Sequence, residues 1–133
     1  MAIEHPRLLI TDDNPGFRET LRGVFEPQGY RTLLACDGEE AMHIVQHQEV
    51  HLLLLDMHMP KLTGLEVVRL VKQFKALMPC IILSADADEE LIQQAQLADA
   101  FSVLSKPVSR QTVTGTVEAA LRRVYNWLPR RTG

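Results

Sequence analysis

The sequence predicts an α/β fold in which five β-strands alternate with five helices, a (βα)5 chain wound around a parallel sheet. Two observations carry this reading. Short apolar, β-rich runs at 8–10, 30–34, 52–55, 80–83 and 100–104 are separated by segments of helical periodicity. The runs near residues 8, 53 and 82 are apolar at consecutive positions, as in inner parallel strands covered on both faces. Right-handed crossovers between parallel strands then place helices on both sides of the sheet.

The first run, Leu-Leu-Ile, ends at Asp12-Asp13, and Asn14-Pro15 opens a helix with a capping residue followed by a first-turn proline. The second run, Tyr-Arg-Thr-Leu-Leu, is more mixed and reads as an edge strand. The motifs Asp37-Gly-Glu-Glu40, Thr63-Gly-Leu-Glu66 and Asp86-Ala-Asp-Glu89 have the spacing of capping boxes and start the next three helices. Ser109 starts the last. Ala41, Ile44, Val45 and Gln48 share one face of the second helix; Val113, Val117, Leu121 and Val124 share one face of the fifth.

At 133 residues the chain is expected to form one domain, with a core over about 5–125 and a tail at 126–133. Its composition, 46% hydrophobic and 23% charged, is that of an ordinary globular protein. A net charge of −3 gives no general attraction to nucleic acid or to an acidic membrane. The N-terminal apolar stretch is too short for a signal sequence, and no run reaches membrane-spanning length. Cys36 and Cys80 lack the spacing of a zinc or redox motif, so both are expected as free thiols of a cytoplasmic protein.

Ligands of open α/β sheets collect at the carboxyl ends of the strands. Those ends carry Asp12-Asp13, Asp56, Ser84-Ala85 and Lys106-Pro107. Each is bland alone: the acidic pair can cap a helix, and Ser84 can start one. Together they bring three carboxylates, a hydroxyl and an ammonium to one edge, without a glycine-rich phosphate loop. Oxygen-only ligands favour a hard cation, best Mg2+, and a carboxylate beside it can act as a nucleophile toward a phosphoryl group. Lys106 and Ser84 can then stabilise the phosphoryl oxygens.

With ITDDNP (10–15), LLLLDMHMPKLTG (52–64), IILSA (81–85) and LSKP (104–107) in this order and spacing, the chain resembles a response-regulator receiver domain, the phosphoacceptor of two-component signalling. The likeness spans roughly residues 5–125. It implies a flavodoxin-like sandwich with strand order 2-1-3-4-5 and an aspartate, Asp56, phosphorylated by a histidine kinase or phosphotransfer protein. It also implies Mg2+ held by Asp12, Asp13, Asp56 and the backbone carbonyl of His58, with Ser84 and Lys106 contacting the phosphoryl group. A cis Lys106–Pro107 bond follows too, as does a loop shaped by Met59-Pro60 and Gly64. Phosphorylation would shift the domain between two states for partner binding or output, with self-dephosphorylation. A homodimer through the fourth helix, fifth strand and fifth helix is a further expectation.

Two departures stand out. Val103 replaces the usual aromatic three residues before the lysine, and Phe101 lies two residues too early to take its place. Asp99-Ala100 replaces a common Gly-Ala. His58 and Asp86 occupy positions where the family tunes phosphate loss; a solvated loop histidine is the plain alternative. The competing functions are a receiver-like interaction module with altered switching and an aspartate-based phosphohydrolase, which His58 disfavours because a second acid is usual there.

Other features are given plainer roles. His43, His47 and His51 offer no full zinc set, Met57 and Met59 read as loop packing, and Arg122, Arg123, Arg130 and Arg131 suit a helix C-terminus. The Tyr125-Asn-Trp127-Leu segment can pack on its own helix, dimerise, or lead into an output domain.

Overall fold

The computed structural model describes residues 3–129. Its elements follow in the expected alternation: β1 (Arg7–Thr11), α1 (Pro15–Phe25), a 3-10 turn (Glu26–Gln28), β2 (Arg31–Ala35), α2 (Gly38–His47), β3 (Leu52–Asp56), α3 (Gly64–Phe74), β4 (Cys80–Ser84), α4 (Glu89–Leu97), β5 (Ser102–Ser105) and α5 (Arg110–Tyr125). The strands form one sheet in the order β2-β1-β3-β4-β5, and every neighbouring pair is parallel.

The consecutive leucines of β3 are explained by the pleat, which turns successive side chains to opposite faces. Leu53 and Leu55 join Leu9, Ile82, Val45, Val67, Val71 and Ala95 in the core beneath α2, α3 and α4. Leu52 and Leu54 join Leu8, Ile10, Leu83, Phe25, Val117 and Leu121 beneath α1 and α5. All four are fully buried. A slip of one residue would exchange two complete packing sets, so register is strongly fixed. β2, at the sheet edge, is only partly buried along most of its length.

The helix starts hold with two adjustments. Asn14, Asp37, Thr63 and Ser109 each cap a helix through the side chain, and Thr63 with Glu66 completes a reciprocal box. The cap of α4 is Asp88, whose carboxylate accepts from Leu91 N, and not Asp86. At α2 the Glu40 carboxylate reaches past the cap to accept from Cys36 N at 2.7 Å. Gln48 lies beyond the end of α2 and is exposed, as is Val124 on α5, while Ala120 completes the buried stripe there. β5 starts at Ser102 and not at residue 100, because Asp99 ends α4 in a left-handed turn with φ 64°. Glycine is the easiest residue in that conformation, and Asp is among the few others that tolerate it. Cys36 is exposed and Cys80 buried, and both are free.

At the end of α5 the rings of Tyr125 and Trp127 pack against the α1–α5 core, whereas Asn126 and Leu128 are exposed. The Trp127 ring lies 5.4 Å from that of Tyr30, which in turn meets Phe25 edge-on. Tyr125 donates its hydroxyl proton to the His51 carbonyl at 2.7 Å. The expectation for Arg130 and Arg131 lies outside the described residues; Arg122 and Arg123 do occupy the last turn of α5.

His51 closes the amino end of β3. Its Nδ1 accepts the Arg7 backbone N–H at 2.9 Å, so this nitrogen is unprotonated in the fold. Burial depresses its pKa below the ordinary 6.5, and Arg7 and Lys75 add to this against the opposing pull of Glu49. The unfolded chain therefore binds this proton first, and stability declines as pH falls below 6.5. Replacing His51 by Leu is expected to remove that part of the acid slope and to cost about 1–3 kcal/mol at neutral pH, because Arg7 N loses its acceptor. Urea melts of both proteins across pH 5–8, a range of about one and a half units either side of the ordinary histidine value, check both effects.

Candidate functional site

The carboxyl ends of the three central strands and the turn after β5 form the site. β3 delivers Asp56 there as its last residue, nearly buried, and Asp12 follows β1 directly. The turn after β1 is held tightly. Asp12 N donates to Ala35 O, the Asp12 carboxylate accepts from Asn14 N at 2.8 Å, and Arg18 donates to the Asp12 carbonyl at 2.6 Å. Asp13, next along, is exposed. One carboxylate oxygen from each of Asp12, Asp13 and Asp56 lies within 4.8 Å of the others. Among the described residues this is the cluster of acids, histidines or cysteines able to hold a metal ion.

Lys106 reaches in from the turn after β5. Its Nζ lies 3.0 Å from Asp12 Oδ2 and 3.2 Å from Asp56 Oδ1. Its backbone N–H donates to Ser84 O, which continues the β4–β5 ladder into the turn, and the Lys106–Pro107 peptide is cis as expected. Burial raises the Asp56 carboxyl above its ordinary range, and Lys106 opposes this while Asp12 and Asp13 add to it. Burial works against the charged Lys106 ammonium, but Asp12 and Asp56 together outweigh it and hold the proton more firmly. One ammonium among three acids leaves two carboxylates without a matching cation. That imbalance is what a divalent ion bound by oxygen ligands would relieve.

Ser84 is fully buried, one residue beyond Leu83, the register partner of Asp56. Its Oγ accepts from Asp86 N at 3.1 Å. It therefore shapes the β4 turn and does not cap α4, which begins four residues after the turn's Ala85. The loop after Asp56 is anchored at both ends. Met57 N donates to Leu83 O, and Gly64 N donates to Met57 O. A Cβ on Gly64 would sit 2.6 Å from the Asp56 carbonyl oxygen, so only glycine allows α3 to start this close to the strand. Met57 and Met59 pack against the core, and Lys61, at φ 71°, pairs with Asp37 at 3.6 Å and Glu39 at 3.3 Å.

His58 and Asp86 are both exposed, with His58 Nε2 3.8 Å from Asp86 Oδ2. Val103 packs with the α2–α4 core and lines a cavity of about 200 Å3 with Ile92, Ala95 and Phe101. Strand alternation would put Phe101 on the same face as Val103. Phe101 instead precedes the strand in a bend and packs against the α1–α5 core while also lining this cavity. His43 and His47 are exposed neighbours on α2 with rings 4.2 Å apart, whereas His51 is engaged at the far end of β3.

Two residues near the site are not evident from strand-end reasoning. Arg18 secures the Asp12 carbonyl, and Phe17 places its ring 4.2 Å from Lys106 Nζ. The Asn14 cap was the available signal, since it fixes the phase of the first helical turn and thereby which residue faces the strand edge.

Fold and site together define a doubly wound α/β domain with an acidic, lysine-paired centre at the carboxyl edge of its sheet. The chain belongs to the response regulator receiver domain family, whose model matches residues 8–118. It is 33% identical over 120 residues to response regulator RR06 of Streptococcus pneumoniae, covering 89% of this chain and 54% of that protein. It is 31% identical over 115 residues to sporulation initiation phosphotransferase F of Bacillus subtilis, covering 86% and 93%. A CheY-like receiver from Methanospirillum hungatei shares the fold, with a TM-score of 0.88 at 21% identity over 92% of this chain and 98% of that one. The chain thus spans about half the length of the pneumococcal relative and nearly all of the sporulation protein.

Replacing Lys106 by Met removes the one ammonium that draws the Asp56 carboxyl down. The Asp56 carboxyl is then expected to titrate at a higher pH than in the unaltered protein. Carbon-detected NMR of the Asp56 side chain reads this directly, and an unchanged or lower midpoint would show that the ion pair does not set the acidity of Asp56.

Proposed function

We propose that this receiver domain accepts a phosphoryl group on Asp56 from a histidine kinase or phosphotransfer protein in the cytoplasm, and that Mg2+ is required. The observation that carries the reading is the convergence of Asp56 with Asp12, Asp13 and Lys106 at one strand edge. The donor set fits the ion, since it offers three carboxylate oxygens and no nitrogen or sulfur ligand. Asp12, Asp13 and Asp56 would hold it with the backbone carbonyl of His58. When bound, it would neutralise charge on the carboxylates and the phosphoryl oxygens.

The chain's own groups account for the rest of the transfer. A carboxylate oxygen of Asp56, fixed by the buried strand, attacks phosphorus as the bond to the donor's leaving group breaks. The product is an acyl phosphate, and the leaving group departs with the bonding electrons. Lys106 turns its ammonium from the carboxylates to a phosphoryl oxygen, and the Ser84 hydroxyl donates to another. Self-dephosphorylation follows when water attacks the same phosphorus. His58 and Asp86, at the rim, would tune that step.

A second reading is favoured by Val103. A small residue beside the cavity between α4 and β5 supports an interaction module whose phosphorylation is read out differently, or no longer read out. The face of α4, β5 and α5 is where a target protein or second copy would dock in either case. Any output domain, and the identity of the kinase, belong to this same proposal.

Incubation with acetyl phosphate and Mg2+ is expected to add one phosphoryl group, detected by intact-protein mass spectrometry. Asp56→Asn should abolish it and chelation of the metal should prevent it. Label retained by Asp56→Asn would assign the acceptor role elsewhere, and a protein that neither binds Mg2+ nor takes label would favour the second reading.

A further inference from the structure

The first turn of α1 differs from those of α2, α3 and α4. Those three helices carry acidic residues there, as the helix dipole favours, whereas α1, like α5, carries none. At the third helical position, where α3 has Glu66 and α2 has Glu40, α1 has Phe17. The turn is firmly set. Phe17 N donates to Asn14 Oδ1 at 3.1 Å, Arg18 N donates to Asn14 O, and the Arg18 guanidinium donates to the Asp12 carbonyl. This places the Phe17 ring centroid 4.2 Å from Lys106 Nζ.

The Lys106 ammonium therefore has three neighbours of negative character. Two are the carboxylates of Asp12 and Asp56, and the third is an aromatic face. A ring face attracts a cation through its quadrupole while carrying no net charge. A glutamate at this position would attract Lys106 too, but it would add a fourth carboxylate to a group already short of positive charge. It would also hold the lysine in a hydrogen-bonded pair that an incoming phosphoryl group must break. The aromatic ring does neither.

We propose that Phe17 is a positioning residue for Lys106, its ring face holding the ammonium at the mouth of the carboxylate cluster without competing for it. This rests on the phosphoacceptor reading for its kinetic consequence, but the contact itself does not. Lys106 is kept within reach of Asp56 yet remains free to turn toward a phosphoryl oxygen. The ring also covers one side of the ammonium from water, which strengthens its remaining interactions.

Three proteins test this: the unaltered chain, Phe17→Leu and Phe17→Tyr. Leucine keeps an apolar side chain against the α1–α5 core, and tyrosine keeps the ring. The Lys106 Hε protons should show an upfield ring-current shift in the unaltered protein and in Phe17→Tyr, and lose it in Phe17→Leu. Labelling by acetyl phosphate with Mg2+ should slow about three- to tenfold in Phe17→Leu, as expected for loss of a partly desolvated cation–ring contact, and recover in Phe17→Tyr. Thermal melts and amide spectra establish that each variant is folded. Absence of the ring-current shift with normal labelling overturns the proposal and leaves the phosphoacceptor reading standing. Equal labelling rates for folded Phe17→Leu and the unaltered protein also overturn it. A normal shift in an unaltered protein that takes no label overturns the phosphoacceptor reading and the kinetic part of the proposal with it.

Discussion

Everything at the site depends on the burial of β3 between two helical layers. Its leucines are shared alternately between the two cores, so the strand cannot slide or rotate without emptying both. Asp56 is consequently held by the whole interior of the protein and not by its loop. This placement has an electrostatic cost. A carboxylate at the end of such a strand loses much of its hydration, and burial raises its pKa. The surrounding charges either relieve or worsen that loss: Lys106 relieves it, and Asp12 and Asp13 worsen it. The site is thus poised by the fold in a condition that a second cation would improve.

The parts of this arrangement legible in the sequence are those that depend on backbone regularity. Apolar runs reveal the inner strands because two-sided burial leaves no polar alternation. Strand ends then locate Asp12, Asp56, Ser84 and Lys106 without any knowledge of side-chain contacts. Caps at Asn14, Asp37, Thr63 and Ser109 were equally readable, because each depends on a local hydrogen bond. What was not readable came from geometry between elements. Asp86 and Asp88 are both plausible caps in a stretch of alternating Asp and Ala, and only the path of the β4 turn selects Asp88. Phe17 looks like an ordinary helical apolar residue until the lysine, eighty-nine positions later in the chain, is placed above its ring.

The departure at Val103 gains a concrete meaning from the packing. The residue contributes to the α2–α4 core but leaves space beside it, and Phe101, which borders the same space, packs from its bend against the α1–α5 core without closing it. The turn at Asp99 is a milder departure, since its left-handed backbone is retained with aspartate. One change alters volume at a face where helices meet the sheet, and the other preserves the path of the chain. Receiver architecture is accordingly intact even where the side chain at its α4–β5 face differs.

The two glycines that border the β3–α3 loop carry no chemistry at all. Gly64 lies against the Asp56 carbonyl, and a Cβ on Gly38 would come within 2.7 Å of Val67 and 2.8 Å of Leu62. Bare backbone at both places lets α2, α3 and the loop close on one another with no slack. In terms of sequence drift, this inverts the usual ranking of sensitive positions. An acidic side chain at the rim can change and leave the scaffold standing, whereas adding a single methyl group at either glycine forces the scaffold around Asp56 to move.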